Sequence, residues 1–193
     1  MQRSLVLAIV ATALVAAAPL GRAQMPMKGM EMKGAVRPYA GEQSREIKAL
    51  SAGETRQYPA GAGMGYAKPA ELNGYPGPAH VLELADGLAL TPERRRETKA
   101  LMEAHKEDAK AIGAKLVAAE RELDALFRSK SAERGALEKA VSAAAQMQAS
   151  YRLSHLETHR RMRALLTPEQ ITQYDVLRGY ASGTSEQHQH GKH

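Results

Sequence analysis

Two histidines and a methionine in the C-terminal part of the sequence have the types and the spacing of metal ligands. His155 and His159 stand four residues apart, and Met162 follows three residues later. On a helix this spacing places the three side chains on one face, where two imidazoles can chelate a divalent transition metal and a thioether adds a soft ligand. The metals that fit are Zn, Cu, Ni or Co. The alternative is a face that packs inside the protein, which is the commoner role of such histidines.

Further residues of metal-binding types are concentrated near both ends of the chain. Glycine, proline and polar residues surround them, so we expect a disordered leader at 24–34 and a disordered tail at 181–193. Thioethers suit Cu(I)-like ions, and a histidine-rich tail can bind transition metals loosely, although either segment can equally be solvated chain without a metal. The residues concerned are Met25, Met27, Met30, Met32, His188, His190 and His193.

The residue sets that catalysis needs are missing. The chain has no cysteine, which excludes a thiol nucleophile, disulfides and thiolate metal sites. No Gly-x-Ser-x-Gly or His-Glu-x-x-His pattern occurs, and the glycine-rich stretch 61–65 lacks the Lys and Ser/Thr of a phosphate loop. Ser154 and His155 are adjacent, so a helix would point them to different sides. The sequence therefore predicts a protein that is not an enzyme and requires no cofactor.

Six arginines form two clusters that would give the protein a basic surface. The formal net charge is +6, but acidic residues are dispersed among the basic ones, so the charge does not argue for a nucleic-acid partner. We expect the clusters to contact client proteins; the alternative is a solvated charged face. They are Arg94, Arg95, Arg96, Arg160, Arg161 and Arg163.

Two copies of Leu-Thr-Pro-Glu mark helix starts on either side of this chemistry. Thr offers an N-cap oxygen, Pro suits the first helical position, and Glu faces the positive end of the helix dipole. In the second copy Gln170 completes a capping box, whereas Arg94 stands at the equivalent place in the first. The motif residues are Leu90, Thr91, Pro92, Glu93, Leu166, Thr167, Pro168, Glu169 and Gln170.

The elements that position these residues are two long amphipathic helices. Apolar residues recur at alternating steps of three and four from Pro92 to about Arg128, and again from 133 to Leu165. A break at 129–134 predicts an antiparallel hairpin with its turn near Ser131, in which positions whose numbers sum to about 262 lie level. His105 then faces His155, and both motifs and both arginine clusters lie at one end. Gly113 weakens the first helix and predicts a bend there.

The remaining segments complete the predicted organisation. Residues 1–23 have the basic start, the apolar stretch and the small residues before a cleavage site of a secretory signal, and their removal from 193 residues leaves 170. After the leader comes a Gly/Pro/Tyr-rich connecting region at 35–77, with one short helix at 44–50 and a capping box from Ser51 to Glu54. The helical domain follows at 78–180, with shorter helices at 79–89 and 168–178. We expect an all-α protein, exported to the periplasm.

The paired motifs in a small helical exported chain resemble the LTxxQ family of periplasmic proteins, which includes Spy/CpxP-like chaperones and periplasmic heavy-metal sensors. The resemblance covers roughly residues 78–180 and departs from the pattern at Arg94. It implies a hairpin with short flanking helices that dimerises into a cradle and holds unfolded or envelope-stress client proteins without ATP. A thin hairpin buries little surface alone, so a homodimer is also expected on physical grounds.

The same resemblance implies an alternative function. Metal-sensing or metal-resistance relatives place His and Met ligands ahead of the last motif, where Met162 falls, and work beside a membrane-anchored regulator. A third interpretation is a purely structural helical envelope protein. We favour the chaperone from the sequence, because the stripe of the second helix is half polar and suits a surface that grips varied clients.

Overall fold

In the computed structural model of the protein, residues 37–181 are described. The predicted signal, the methionine-rich leader and the tail histidines His188, His190 and His193 lie outside them. Every regular element between 37 and 181 is helical, which confirms the all-α fold class. After a 3₁₀ turn at Glu42–Ser44, the helices are α1 Ala52–Gln57, α2 Lys68–Glu71, α3 Pro78–Glu83, α4 Pro92–Arg128, α5 Arg134–Leu165 and α6 Pro168–Leu177.

The long helices α4 and α5 pack together as the predicted hairpin. They contain 37 and 32 residues, so the longer one extends about 55 Å. The rings of His105 and His155 lie 4.5 Å apart between centroids, which confirms the predicted register to within a residue or two. None of the helices within the described range is long and apolar enough to cross a membrane.

The two motifs cap their helices as predicted. The Thr91 hydroxyl accepts a hydrogen bond from the Arg94 backbone N–H, and Thr167 forms a complete capping box with Gln170. The departure at Arg94 has a structural role, because its Nη1 donates to Gln170 Oε1 at 2.6 Å. Gln170 Nε2 donates to the Leu88 carbonyl at 3.0 Å. The arginine therefore joins one motif to the other.

Two apolar clusters hold the structure together. The motif-end cluster comprises Val81, Ala85, Leu88, Leu90, Leu101, Met162, Leu166 and Tyr174. The mid-hairpin cluster comprises Ile47, Leu50, Tyr58, Ala109, Leu116, Val117 and Tyr151. Three of the latter come from the 35–77 region, so the described part of that region packs on the hairpin and contributes to its core.

Gly113 permits a close backbone approach, and α4 continues through it. A Cβ at Gly113 would lie 1.9 Å from the Tyr58 carbonyl oxygen. The glycine is therefore needed so that the chain after α1 can contact α4, and this contact accounts for the residue that the sequence analysis assigned to a bend. The hydroxyl of Tyr151 donates to the Ala62 carbonyl at 2.6 Å and fastens the next part of the same segment.

Some local expectations were wrong. The helix expected at 44–50 is only the 3₁₀ turn, because Arg45 is extended and ends it, and the chain then turns to bury Ile47 and Leu50. The helix expected at 79–89 ends at Glu83. Ala89 has a positive φ of 49°, a conformation that does not continue a helix.

Candidate metal centre

A groove of about 460 Å³ lies beside the hairpin and brings together three of the four ligands predicted on the long helices, His105, His155 and His159. Its floor comes from α4 and α5, and its rim comes from the segment 61–80. The segment approaches the hairpin closely at Gly61 and Gly77, where an added Cβ would lie 3.3 Å from the Lys106 carbonyl oxygen and 2.9 Å from the His159 Cε1. We call this feature the histidine groove and define it by its histidine and methionine side chains: His80, His105, His155, His159, Met64 and Met102.

His155 is buried and oriented by the backbone. Its Nδ1 lies 2.9 Å from the Tyr151 carbonyl oxygen. A carbonyl can only accept, so Nδ1 carries the proton and Nε2 has the free lone pair. Nε2 is buried and has no hydrogen-bond partner among the described residues. The Ala62 carbonyl, which accepts from the Tyr151 hydroxyl, is near enough to oppose the lowering of the His155 pKa. The bond from Nδ1 to a backbone carbonyl is the second-sphere arrangement that metal-binding histidines use.

His159 is oriented in the same way from the rim of the groove. Its Nδ1 lies 2.8 Å from the Tyr75 carbonyl oxygen, which again leaves the lone pair on Nε2. Gly77 makes room for the ring, since a Cβ there would lie 2.9 Å from the His159 Cε1. Glu71 Oε2 is 3.6 Å from Nδ1. A carbonyl and a carboxylate therefore both stand behind the imidazole, as in carboxylate–histidine–metal arrangements.

His105 completes the group from the facing helix. Its ring meets that of His155 edge to face at 84°, and its Nδ1 is buried without a partner within the described range. Burial, together with the nearby His155 and His159, lowers the pKa of His105 to about 4. Burial also lowers the pKa of His155, although the Tyr151 carbonyl opposes that shift. Both imidazoles are thus neutral at pH 7, which is the form that binds metals.

Met162, predicted as the fourth ligand, lies elsewhere. Its side chain is fully buried in the motif-end cluster and does not line the groove. Met64 and Met102 line it instead. Met102 could have been recognised, because it precedes His105 by one helical turn. Met64 has no such signal, since it lies in a glycine-rich loop. Among residues 37–181, no three His, Asp or Glu side chains are placed to surround one ion.

Glu71, which the sequence analysis did not single out, anchors the rim of the groove. Its carboxylate accepts hydrogen bonds from the hydroxyls of Tyr174 and Tyr180 and from the Gly77 N–H. Burial and the carboxylate raise the pKa of Tyr174 far above its usual range, so the hydroxyl remains a donor. Because Tyr174 lies on α6, this network ties the rim to the helix that the second motif caps.

Four of the six arginines predicted to contact clients interact with other residues of the chain, and the Arg95 and Arg160 pairs do so at the solvent-exposed surface. Arg95 pairs with Asp86 at 2.6 Å and Arg160 with Glu157 at 2.7 Å. Arg163 donates to the Gly74 carbonyl and lies over the Tyr75 ring, with its guanidinium carbon 4.8 Å from the ring centroid. Arg94 joins the two motifs. Arg96 and Arg161 are exposed, and client binding by the arginines stays a prediction.

The fold and the site together define a helical-hairpin protein whose histidine groove lies between the long helices α4 and α5 and the segment 61–80 that packs beside them. A family model described as heavy-metal resistance matches residues 58–173. The chain belongs to this heavy-metal resistance family, which is part of the Spy/CpxP-like periplasmic LTxxQ proteins. The matched range includes both motifs and all six side chains that define the groove. No curated protein and no solved structure matches the chain.

Proposed function

We propose that this protein binds a heavy-metal ion in the histidine groove and serves as a periplasmic metal sensor or metal-resistance protein. One observation carries the proposal: two imidazoles of one helix face have their Nδ1 atoms committed to backbone carbonyls. The Nε2 lone pairs of His155 and His159 are thereby fixed before any ion arrives. The family membership points in the same direction. This function replaces the chaperone activity that the sequence analysis favoured.

The groove suits capture and release of an ion because its two sides come from different parts of the chain. His105 and His155 belong to the rigid hairpin, whereas Met64 and Gly77 belong to the segment that crosses it. An ion held between them would stabilise the folded arrangement of that segment according to its concentration relative to its Kd. Such a change in the segment is a signal that a membrane-anchored regulator can read, and that partner is part of the proposal.

The test is a titration of the full chain with Zn(II), Ni(II), Co(II) and Cu(II), observed through the imidazole ¹⁵N resonances. His155→Ala and His159→Ala should each weaken groove binding by about tenfold or more, because a chelate loses most of its advantage with one arm. The matched control replaces His188, His190 and His193 together and should leave groove binding unchanged. If the tail variant alone abolished binding and both helix variants bound like the parent, the groove would be structural.

Export and self-association belong to the same proposal. The features of residues 1–23 support secretion to the periplasm, and sequencing the N-terminus of the mature protein would test cleavage after Ala23. Light scattering at micromolar concentration would test the homodimer. A monomer under these conditions would count against the dimeric cradle, while metal binding by one groove would be unaffected.

Client holding is a second candidate, supported by a different surface. A second groove, of about 610 Å³, runs between α4 and α5 near the motif end. Alanine and leucine side chains line it and Arg160 and Arg161 flank it, so it offers both apolar and positive contacts. Suppression of aggregation of a model client should then weaken in Leu101→Ser/Leu165→Ser and survive in His155→Ala. Equal suppression by the double-serine variant and the parent would remove this candidate.

A further inference from the structure

The types of donor atom in the histidine groove determine which metals it can bind. His, Asp and Glu side chains suit borderline and hard divalent ions, whose tightest protein sites usually contain three or more such ligands. The described residues contain no group of three of these side chains around one point. The groove does contain two methionines, whose thioethers are soft ligands. An ion in this groove would therefore be bound by a small number of nitrogen donors together with sulfur.

We infer that the histidine groove is a site for a soft monovalent ion of the Cu(I) or Ag(I) type, bound by His105 and His155 together with Met64 and Met102. This inference rests on the proposed function and names its metal. The ion enters and leaves as the monovalent species, so binding involves no change of oxidation state. Soft d¹⁰ ions favour imidazole and thioether ligands, which suits a groove lined by two close imidazoles and two methionines.

The two histidines supply buried donor atoms without partners. His105 Nδ1 and His155 Nε2 are both shielded from solvent and unbonded within the described range, and their rings are 4.5 Å apart. An unpartnered buried polar atom carries a desolvation penalty that a bound ligand or an ordered water offsets. His155 is only 4% exposed, yet it lines the groove, so the ligand that reaches its lone pair is one that enters there.

Met64 is held toward the groove at a cost in backbone energy. Its φ is +46°, in the left-handed region that a residue with a long side chain seldom adopts. Glycine stands on both sides of it, and Gly65 has a φ of +77°. Glycine would adopt this conformation without strain, whereas methionine costs about 1–3 kcal/mol there. Strain of this kind concentrates at ligand sites.

Met102 reaches the groove from the floor. It lies on α4 one turn before His105, and residues three apart share a helix face. Its side chain is partly buried. Met162 belongs to the motif-end cluster, and Met64 and Met147 both pack against the mid-hairpin cluster. Of these four methionines, Met64 and Met102 line the groove, so Met147 and Met162 are matched controls that lie away from it.

The experiment is methyl-¹³C methionine and imidazole ¹⁵N NMR of the full chain titrated with Ag(I), a soft monovalent ion that is stable in air. One equivalent should shift the Met64 and Met102 methyl signals and the His155 nitrogen together, and leave Met147 and Met162 unmoved. Met64→Leu/Met102→Leu should lower the Ag(I) affinity read at His155 by about tenfold or more. The same variant should leave the Zn(II) response unchanged. Met147→Leu is the control and should bind Ag(I) like the parent.

Three results would overturn the inference. If Zn(II), Ni(II) or Co(II) shifts the groove histidines while Ag(I) leaves the Met64 and Met102 methyls in place, the ion is not soft, although the proposed function survives. If the double-leucine variant binds Ag(I) at His155 as tightly as the parent, the thioethers are not ligands. If no ion shifts the groove histidines, including the case in which Ag(I) shifts only methyls of the 24–34 leader, the proposed function fails as well.

Discussion

His155 and Met162 lie seven residues apart on one face of α5, but their surroundings differ in kind. Met162 is fully buried in an apolar cluster to which α3, α4, α6 and the loop before α4 contribute. His155 is almost as buried, yet it lies under a glycine-rich segment, beside a groove, with an unpartnered nitrogen. One stripe on a helix therefore serves as core at the motif end and as a binding surface in the middle. The covering segment, more than the helix itself, decides between these roles.

The first prediction concerns the contact between Gly113 and Tyr58, which holds the covering segment against α4. Gly113→Ala would put a Cβ against the Tyr58 carbonyl at 1.9 Å, and backbone cannot yield as a side chain can. We expect a loss of about 3 kcal/mol or more in the free energy of unfolding, together with loss of metal binding. Urea unfolding would measure the first effect.

Gly135→Ala is the matched control, because nothing lies within 4 Å of the added methyl group. Alanine is the better helix former by about 1 kcal/mol, so this variant should be as stable as the parent or more so. Equal stability of the two alanine variants would mean that Tyr58 is not seated on α4, and that the groove has no fixed rim.

The second prediction compares methionines from the two regions. Met162→Ala should cost about 2–5 kcal/mol, because it opens a cavity in an apolar cluster that is closed on every side. Met102→Ala, at the partly exposed groove, should cost clearly less. Metal binding should respond in the opposite order, with Met102→Ala weakening Ag(I) binding and Met162→Leu keeping it. Loss of metal binding in Met162→Leu would restore Met162 as a ligand and contradict its position in the core.

The sequence was sufficient for the parts that depend on local periodicity. Helical spacing and cap residues act over a few positions along the chain. They were enough to predict the bounds of α4 and α5, the two threonine caps, and the register that places His105 opposite His155. The positions of Met64, Glu71 and Tyr58 depend on contacts far along the chain and have no period to reveal them. The sequence shows which helix face Met162 occupies, but it does not show that α3 and α6 cover that face. Met162 was therefore predicted to be a ligand, although it lies in the motif-end cluster.

The third prediction concerns pH. The pKa of His105 is lowered to about 4 by burial and by its imidazole neighbours, against the opposing effect of Asp108, so the folded protein holds this ring neutral. The unfolded chain binds a proton near pH 6.5, and the folded chain does so only near pH 4. The contribution of His105 to the free energy of unfolding of the metal-free protein should therefore be complete above pH 6.5. It should decrease as the pH drops from there toward 4. His155 should add to the same trend, since its pKa is also lowered.

The His105→Gln variant would isolate this contribution. Its stability relative to the parent should improve as the pH is lowered from about 7.5 to about 5, because glutamine binds no proton. The carboxylates whose pKa values are lowered, such as Asp124, lose their contribution at lower pH and stay outside this interval. A difference between variant and parent that did not change with pH would mean that His105 titrates alike in the folded and unfolded chains.

The smallest expected effect is that of removing the Thr167 cap, which should lower stability at the motif end and leave metal binding in the groove unchanged. Thr167→Ala removes the oxygen that accepts from the Gln170 N–H at 3.2 Å, and it should cost about 1 kcal/mol. Thr172→Ala is the matched control on the same helix, since that hydroxyl is exposed and only bonds back to the Pro168 carbonyl. Metal affinity should be unchanged in both variants, because α6 stays in place and Tyr174 still holds Glu71 at the rim. A Thr167→Ala variant that folded but bound metal more weakly would show that the capped helix and the groove are coupled through Glu71, and the two regions would then have to be treated as one functional unit.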